Sequence, residues 1–164
     1  MIDFSTVNTF LEKIESDLKL LGIDLDEFEI DHICYRVTSI ERYSELKGEL
    51  GRDHLLLHEA MISNRPISTF KLNKPLNYKK HDIPLLELPA PKGEASYSEG
   101  FEHIECVISE SFVDFSNRHS EVEFDWKGAQ KKHNPELRIK LGDLSIKFHH
   151  QSLEDVIASE LRES

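Results

Sequence analysis

The chain has 164 residues, of which 31 are acidic and 20 are basic, so its formal net charge is −11 at neutral pH. This length corresponds to one domain, and 38% hydrophobic residues are enough for a core, which excludes a chain disordered throughout. The acidic excess argues against a protein that works by neutralising phosphates, so neither nucleic acid nor an anionic membrane is an expected partner.

The N-terminal segment and the cysteines bear on cellular location. The first residues contain acid from Asp3 onward and no basic start before an apolar run, so no signal peptide is expected. No run of 18 apolar residues occurs, so no membrane-spanning helix is expected. Cys34 and Cys106 lie singly in apolar runs, which is typical of buried free thiols. The sequence therefore predicts a cytoplasmic protein.

The first half of the chain combines helical and strand-like patterns. Apolar residues at three- and four-residue steps predict an amphipathic helix over about 3–22. Residues 31–37 alternate polar and apolar side chains, which predicts a strand. Thr38 and Glu41 form a capping box that opens a second helix. Three more strand-like runs follow, at 54–60, 67–72 and 83–88. The first module, about 30–90, is thus predicted to be β-α-β-β-β.

The second half repeats that order over about 100–150. Its first strand, 102–108, begins with acid, His and Ile, as the strand at 31–37 does. A short helical segment and three strand-like runs follow, at 122–126, 137–141 and 144–149. A C-terminal helix is predicted over about 152–163. We therefore expect one α+β domain, 1–164, in which two β-α-β-β-β modules form a cupped mixed sheet with helices behind it and added helices at both ends.

Strand parity predicts which side chains face the concavity. Successive side chains alternate between the two faces of a sheet, and the apolar set must face the helices. The other set, which faces the cavity, contains His32, Arg36, Glu87, His103, Glu105, Lys147 and His149. Two or three imidazoles with a carboxylate predict a divalent-metal site formed by His32, Glu87, His103 and His149. Such a set suits zinc, manganese, nickel or iron and leaves coordination positions open for a substrate.

Each of these residues also has a structural interpretation. A histidine at the start of a strand often serves only as a hydrogen-bonded structural residue, and Glu87 would serve equally as a charge on an edge strand. The assignment of His149 depends on register, because His150 follows it. Arg36 and Lys147 suit an anionic group of a substrate. Arg65, in an Asn-Arg-Pro turn, is either a turn charge or a residue at the rim of the cavity, and the first interpretation is favoured. The five remaining histidines are interpreted as surface or loop residues.

Five segments carry a family resemblance. They are DHICYRV at 31–37, MISNRPISTFKLNKPL at 61–76, LLELPAPK at 85–92, EGFEHIECVI at 99–108 and SIKFHHQSLEDVIASE at 145–160. In this the chain resembles the YecM-like proteins, a bacterial branch of the vicinal-oxygen-chelate superfamily, which includes glyoxalase I, extradiol dioxygenases and methylmalonyl-CoA epimerase. The resemblance covers nearly the whole chain.

The resemblance implies paired modules and a metal site that takes His or Gln from the first strand of a module and Glu from the last. His32, Glu87 and His103 match this pattern in type. His149 stands where Glu is usual, so it is expected to be a metal ligand, a general base or supporting group, or a side chain that points away. A homodimer is a further expectation from the superfamily.

The function expected on these grounds is that of a metal-dependent enzyme acting on a small substrate that binds the metal through two adjacent oxygens. The reaction would be that of an isomerase, lyase or dioxygenase, with Glu105 or His149 moving a proton. The alternative is a non-catalytic protein that binds a small molecule in the same cupped cavity. Replacing His32 or His103 discriminates between them, because only the enzyme would lose metal and turnover together.

Overall fold

The computed structural model describes residues 1–94 and 96–163, with side chains up to residue 162. Its helices are α1 (Val7–Leu20), α2 (Ile40–Asp53), α3 (Phe112–Arg118) and α4 (Leu153–Glu163). Its strands are β1 (Glu29–Arg36), β2 (Leu55–Ile62), β3 (Arg65–Tyr78), β4 (His81–Pro89), β5 (Gly100–Val107), β6 (Leu137–Leu141) and β7 (Leu144–His149). No helix of the described chain is long and apolar enough to cross a membrane.

All seven strands belong to one mixed sheet with the order β2-β3-β4-β1-β5-β7-β6. The first strand of each module lies at the centre, where β1 and β5 pair antiparallel. Each of these strands has the last strand of its own module as its other neighbour, in parallel, so that β1 pairs with β4 and β5 with β7. The predicted α+β class, with a cupped mixed sheet and terminal helices, is confirmed.

The second module has one strand fewer than predicted. At 122–126 only a single bridge forms, between Asp125 and Arg138. The reason is that the chain turns into a short 3-10 helix at Lys127–Gln130, immediately after this segment, and leaves room for one paired position. The second module therefore contributes β5, β6 and β7 as strands, and the bridge marks where its fourth would lie.

The hydrophobic core lies between the sheet and the helices on its convex side. The inward face of α1 contributes Leu11, Ile14 and Leu18, all without exposed surface. These follow the helical spacing that the sequence shows, and burial of each such side chain contributes about 1.5–3 kcal/mol. The sheet contributes the apolar side chains on the core-facing side of its central strands, including Ile33 of β1 and Ile104 of β5. Parity thus separates core from cavity as the sequence predicts.

The C-terminal helix α4 does not lie behind the sheet with the others. Leu153, Val156 and Ile157 of α4 line the cavity on the concave side. Lys71 of β3 forms an ion pair with Glu154 at 2.8 Å, which ties the helix to the first module. The apolar stripe of α4 therefore covers the cavity instead of adding to the main core.

The hydrogen bonds that Glu15 accepts predict a pH dependence of stability. Lys79 donates a hydrogen bond to its carboxylate, as does the Tyr78 hydroxyl at 2.6 Å, and together they lower the pKa of Glu15 from 4.5 to about 2. Because the folded-state pKa is depressed, the stabilisation is present above the unfolded pKa and is lost as pH falls from about 5 towards 2.

We expect Glu15→Gln to reduce the free energy of unfolding at pH 7 and the deficit to shrink across that acidic range. Urea denaturation of the parent and the variant at a series of pH values measures the difference. Glu12→Gln, which removes an exposed carboxylate from the same helix, is the control. A deficit that stays constant down to pH 2 would contradict this account.

Candidate functional site

A cavity of about 660 Å³ lies on the concave face of the sheet, under α4. Six of the seven residues that parity assigns to this face line it: Arg36, Glu87, His103, Glu105, Lys147 and His149. His32 does not reach the cavity wall. It is only 1% exposed, and its ring lies against the carboxylate of Glu105, with Nε2 at 3.4 Å from Oε2.

Three of the predicted metal ligands, His32, Glu87 and His103, lie close together in the structure. One ligand atom each from His32, Glu87 and His103 lies within 4.8 Å of the other two. They come from three neighbouring strands, β1, β4 and β5, and Glu87 lies opposite Cys34 in the parallel ladder. Two imidazoles and one carboxylate are a set that binds divalent transition metals and leaves positions open.

Each histidine is oriented by the acid that precedes it in the chain. His32 Nδ1 donates to Asp31 Oδ2 at 2.8 Å, and His103 Nδ1 donates to the carboxylate of Glu102. A carboxylate on Nδ1 fixes the tautomer and directs Nε2 away from it, which is the arrangement found for metal-binding histidines. The acid-His-Ile sequence that the two modules share therefore has a structural role. In each module the acid orients the histidine that follows it.

Two β-bulges make this pairing possible. Between the pairs Ile30↔Cys106 and His32↔Glu105 the strand β1 has one extra residue, which is Asp31. Between Cys34↔His103 and Tyr35↔Phe101 the extra residue is on β5 and is Glu102. An extra residue in a bulge escapes the strict alternation of faces, so each acid reaches its neighbour's ring.

The buried ring nitrogens test whether a metal fits. Nε2 of His32 and Nε2 of His149 are buried and make no hydrogen bond among the described residues, although each lies within ion-pair distance of Glu105 Oε2. Leaving a buried polar nitrogen unsatisfied costs about 1–3 kcal/mol. A divalent cation bound by His32 would satisfy the first of them, and the donor set of His32, Glu87 and His103 is chemically suited to it. The residues present therefore fit a metal.

Glu105 lies at the centre of the polar cluster. Its Oε1 accepts a hydrogen bond from Lys147 Nζ at 2.8 Å and lies 3.0 Å from His103 Nε2, and its Oε2 contacts the rings of His32 and His149. Burial raises the pKa of Glu105, but the charge of Lys147 and the neighbouring imidazoles outweigh it and hold the pKa well below its usual range. Glu105 is therefore ionised.

Opposing effects also act on the groups around Glu105. Burial lowers the pKa of Lys147, but Glu105 and Glu136 raise it further, so the ammonium stays charged. For His32, burial likewise lowers the pKa, and the carboxylates of Glu105 and Asp31 raise it to about 10. The cluster of carboxylates thus needs compensating positive charge, which protons on the imidazoles or a bound cation can supply.

The strand register decides which residue of the second module corresponds to Glu87. Cys34 pairs with Glu87, and at the equivalent place Glu105 pairs with Lys147. Lys147, not His149, therefore occupies the position equivalent to Glu87. His149 lies two residues further along β7, where Nδ1 donates to the carbonyl of Pro135 at 3.0 Å. The sequence alone could not establish this equivalence, because it depends on the register in which β4 pairs with β1 and β7 pairs with β5.

A second group of metal-binding type involves His149. Ligand atoms of Glu105, Glu136 and His149 lie within 4.8 Å of one another. However, Lys147 Nζ lies 2.8 Å from Glu105 and 3.9 Å from Glu136. Since this ammonium already supplies positive charge between the two carboxylates, the group that contains His32, Glu87 and His103 is the better metal site.

Sequence reasoning missed several residues of the cavity. His58, His133 and Arg65, which were interpreted as surface, loop or turn residues, line it, because the β2–β3 hairpin and the loop before β6 border the sheet's concavity. His81 is not a surface residue either. It is 5% exposed and lies beside Asp26, with 3.2 Å between Nε2 and Oδ1. The orienting role of Asp31 and Glu102 had a signal, the acid before each histidine.

Comparison with known proteins identifies the family. Residues 3–160 match the family described as YecM protein. The chain is 31% identical over 175 residues to "Protein YecM" of Escherichia coli (strain K12), which covers 95% of this chain and 91% of that protein. The chain therefore belongs to the YecM family, and the resemblance noted from the sequence is confirmed.

Solved structures show the same fold. One described as "Structural Genomics, Protein EC4020" has a TM-score of 0.79 and 27% identity, covering 95% of this chain and 90% of that chain. A Bacillus subtilis protein whose proposed activity is that of a dioxygenase has a TM-score of 0.51 and 10% identity, covering 76% of this chain and 41% of that chain. At that identity the likeness concerns the fold alone.

Gly128 provides a test of how the wall beside the site is packed. A Cβ at this position would lie 2.2 Å from Cγ of Glu136. Glu136 also forms an ion pair with Lys131, with 3.0 Å between Oε2 and Nζ. We expect Gly128→Ala to lower the free energy of unfolding by about 1–3 kcal/mol, because Glu136 has to move. Urea denaturation measures the loss.

The matched control is Gly48→Ala, at an exposed position of α2 with open space around it, where a gain in stability is expected. Combining Gly128→Ala with Glu136→Ala should cost less than the sum of the two single changes, since the second removes the clash. Additive losses would show that the two residues do not meet.

Proposed function

We propose that the protein is a metal-dependent enzyme of the vicinal-oxygen-chelate type that acts on a small molecule through two adjacent oxygens. The reaction would be of the isomerase, lyase or dioxygenase class. The observation that carries the proposal is the meeting of His32, Glu87 and His103 within 4.8 Å, with a carboxylate on Nδ1 of each histidine. The membership in the YecM family and the fold support it.

His32, Glu87 and His103 would hold the ion, and zinc, manganese, nickel and iron all suit this donor set. Such an ion supplies Lewis acidity, which stabilises negative charge that develops on a substrate oxygen. Asp31 and Glu102 keep the two imidazoles in the ligating tautomer and orientation. Three protein ligands leave coordination positions for a substrate. The cavity of about 660 Å³ is of the size that small-molecule sites have.

The remaining polar groups are assigned to proton transfer and substrate binding. His149 Nδ1 donates to Pro135 O, so its Nε2 is the nitrogen left to take or give a proton at the cavity wall. Glu105, held ionised by Lys147, contacts that nitrogen. Arg36 and Lys147 are assigned to the substrate. Cytoplasmic location and a homodimer remain predictions.

The first test is the metal content of protein purified without a histidine tag. We expect the parent to contain a divalent metal at near one equivalent and His32→Ala and His103→Ala to lose it, because each variant removes a ligand. Elemental analysis measures the content, and thermal shift with added manganese, iron, nickel and zinc measures binding. His54→Ala, outside the cavity, is the control.

A parent that contains no metal and whose melting temperature responds to none of these ions would overturn the proposed enzyme. The non-catalytic small-molecule binding protein would then be the better account. Retention of metal by both histidine variants would move the site elsewhere in the chain.

The orienting acids give a second test. We expect Asp31→Asn and Glu102→Gln to weaken metal affinity by about 10- to 100-fold each, because carboxylates that bond to the outer nitrogen of a ligating histidine have effects of this size. Competition with a fluorescent chelator measures the dissociation constant. Glu29→Gln removes an exposed carboxylate from the same strand and should leave the affinity unchanged. Unaltered affinity in both acid variants would refute the orienting role.

A further inference from the structure

The cavity is rich in basic side chains although the chain as a whole carries a net charge of −11. The basic residues that line it are Arg36, Arg65, Lys92, Lys131, Arg138 and Lys147. The last three lie within ion-pair distance of Glu105 or Glu136. Among the described residues, Arg36, Arg65 and Lys92 have no carboxylate at such a distance. Three cations that line the cavity are therefore without an ion pair among the described residues.

Arg65 presents an unused pair of donors. It is the first residue of β3, directly after the tight turn at Ser63 and Asn64, and its Nη1 donates to the carbonyl of Ala90 at 2.7 Å. Nε is buried without a hydrogen-bond partner, and no bond from Nη2 is found within the described chain. Nε and Nη2 point to the same side of a guanidinium, and this fork matches the two oxygens of a carboxylate.

Lys92 and Arg36 are brought to the same region by the strand register. Ala90 N donates to the carbonyl of Pro66, next to Arg65, and Lys92 follows two residues after Ala90. Arg65 and Lys92 both line the cavity, and repulsion from Arg65 and Lys131 adds to burial in lowering the pKa of Lys92. Arg36 lies two residues beyond Cys34, and its guanidinium is 4.4 Å from the centre of the Tyr97 ring. Repulsion within such a group is relieved by an anion.

The ladder also gives the separation from the metal ligands. Glu87 is opposite Cys34, so Arg36 is level with Pro89, two residues further along β4. At about 3.3 Å per residue, this level lies about 7 Å from that of Glu87. A molecule of four or five carbons spans that distance, with oxygens at the metal ligands and a charged group at the basic wall.

We propose that Arg65, Lys92 and Arg36 form a carboxylate-binding subsite, and that the substrate is a small dicarboxylic hydroxy- or keto-acid whose other end binds the metal. The claim about the metal-bound end of the substrate rests on the proposed function, whereas the carboxylate subsite does not. A carboxylate is favoured over a phosphate at this subsite because five glutamates, Glu87, Glu102, Glu105, Glu136 and Glu160, line the same cavity and disfavour a second negative charge on the group bound there.

A matched pair of probes tests the subsite on the manganese-loaded protein. 2-Oxoglutarate carries the distal carboxylate, and 2-oxopentanoate has the same carbon chain without it. We expect 2-oxoglutarate to bind about tenfold or more tightly in isothermal titration, because charge-assisted bonds to Arg65 and Lys92 are made only by the distal group. Arg65→Gln and Arg65→Gln with Lys92→Gln should abolish the preference and leave 2-oxopentanoate affinity unchanged.

The controls separate this proposal from the proposed function. Lys74→Gln removes an exposed charge outside the cavity and should retain the preference, and metal content and melting temperature establish that the variants fold. Equal affinity for the two probes in the parent, or a preference that survives in both Arg65 variants, overturns the subsite while the metal site stands. If the parent binds no metal, titration of the metal-free protein with glutarate decides the subsite alone. Binding lost in Arg65→Gln supports it, and binding absent from the parent or unchanged in the variant overturns it.

Discussion

The antiparallel pairing of β1 with β5 in the centre of the sheet is the constraint on which the site depends. Each strand directs a histidine to the concave side of the sheet and its apolar neighbours to the core, and parity alone would send the preceding acid into the core. A buried, unpaired carboxylate is costly. The bulges at Asp31 and Glu102 remove this conflict, because the extra residue turns back towards the adjacent ring. The two bulges that interrupt the regular pairing of β1 and β5 are therefore the features that let each acid orient its histidine.

The two modules are similar in order but not in charge. At the position where the first module has Glu87, the second has Lys147, so equivalent places in the two modules carry opposite charges. The ammonium of Lys147 pairs with Glu105 at 2.8 Å. In the function we propose, the metal would therefore take two ligands from the first module, His32 and Glu87, and one from the second, His103, with positions left for a substrate.

The sequence predicts what depends on short-range periodicity and misses what depends on register. Alternation in 31–37 and 102–108 is enough to assign faces, because the period of a strand is fixed. The equivalence of Glu87 with Lys147 requires the ladder, which no local pattern contains. The apolar stripe of α4 shows that the helix covers something but not which face of the sheet, and Arg65 belongs to the cavity only because a hairpin brings it there.

The single carboxylate of Asp31 has one further contact, with the helix above the cavity. Its Oδ2 accepts the hydrogen bond from His32 Nδ1 and also one from the backbone N–H of Leu153, the first residue of α4, at 2.9 Å. This one oxygen atom therefore holds both the first residue of α4, above the cavity, and the ring of His32, in the sheet below. A movement of α4 away from the sheet would break the bond from Leu153 N and leave Asp31 bonded to His32 alone, so the position of α4 and the orientation of His32 are coupled.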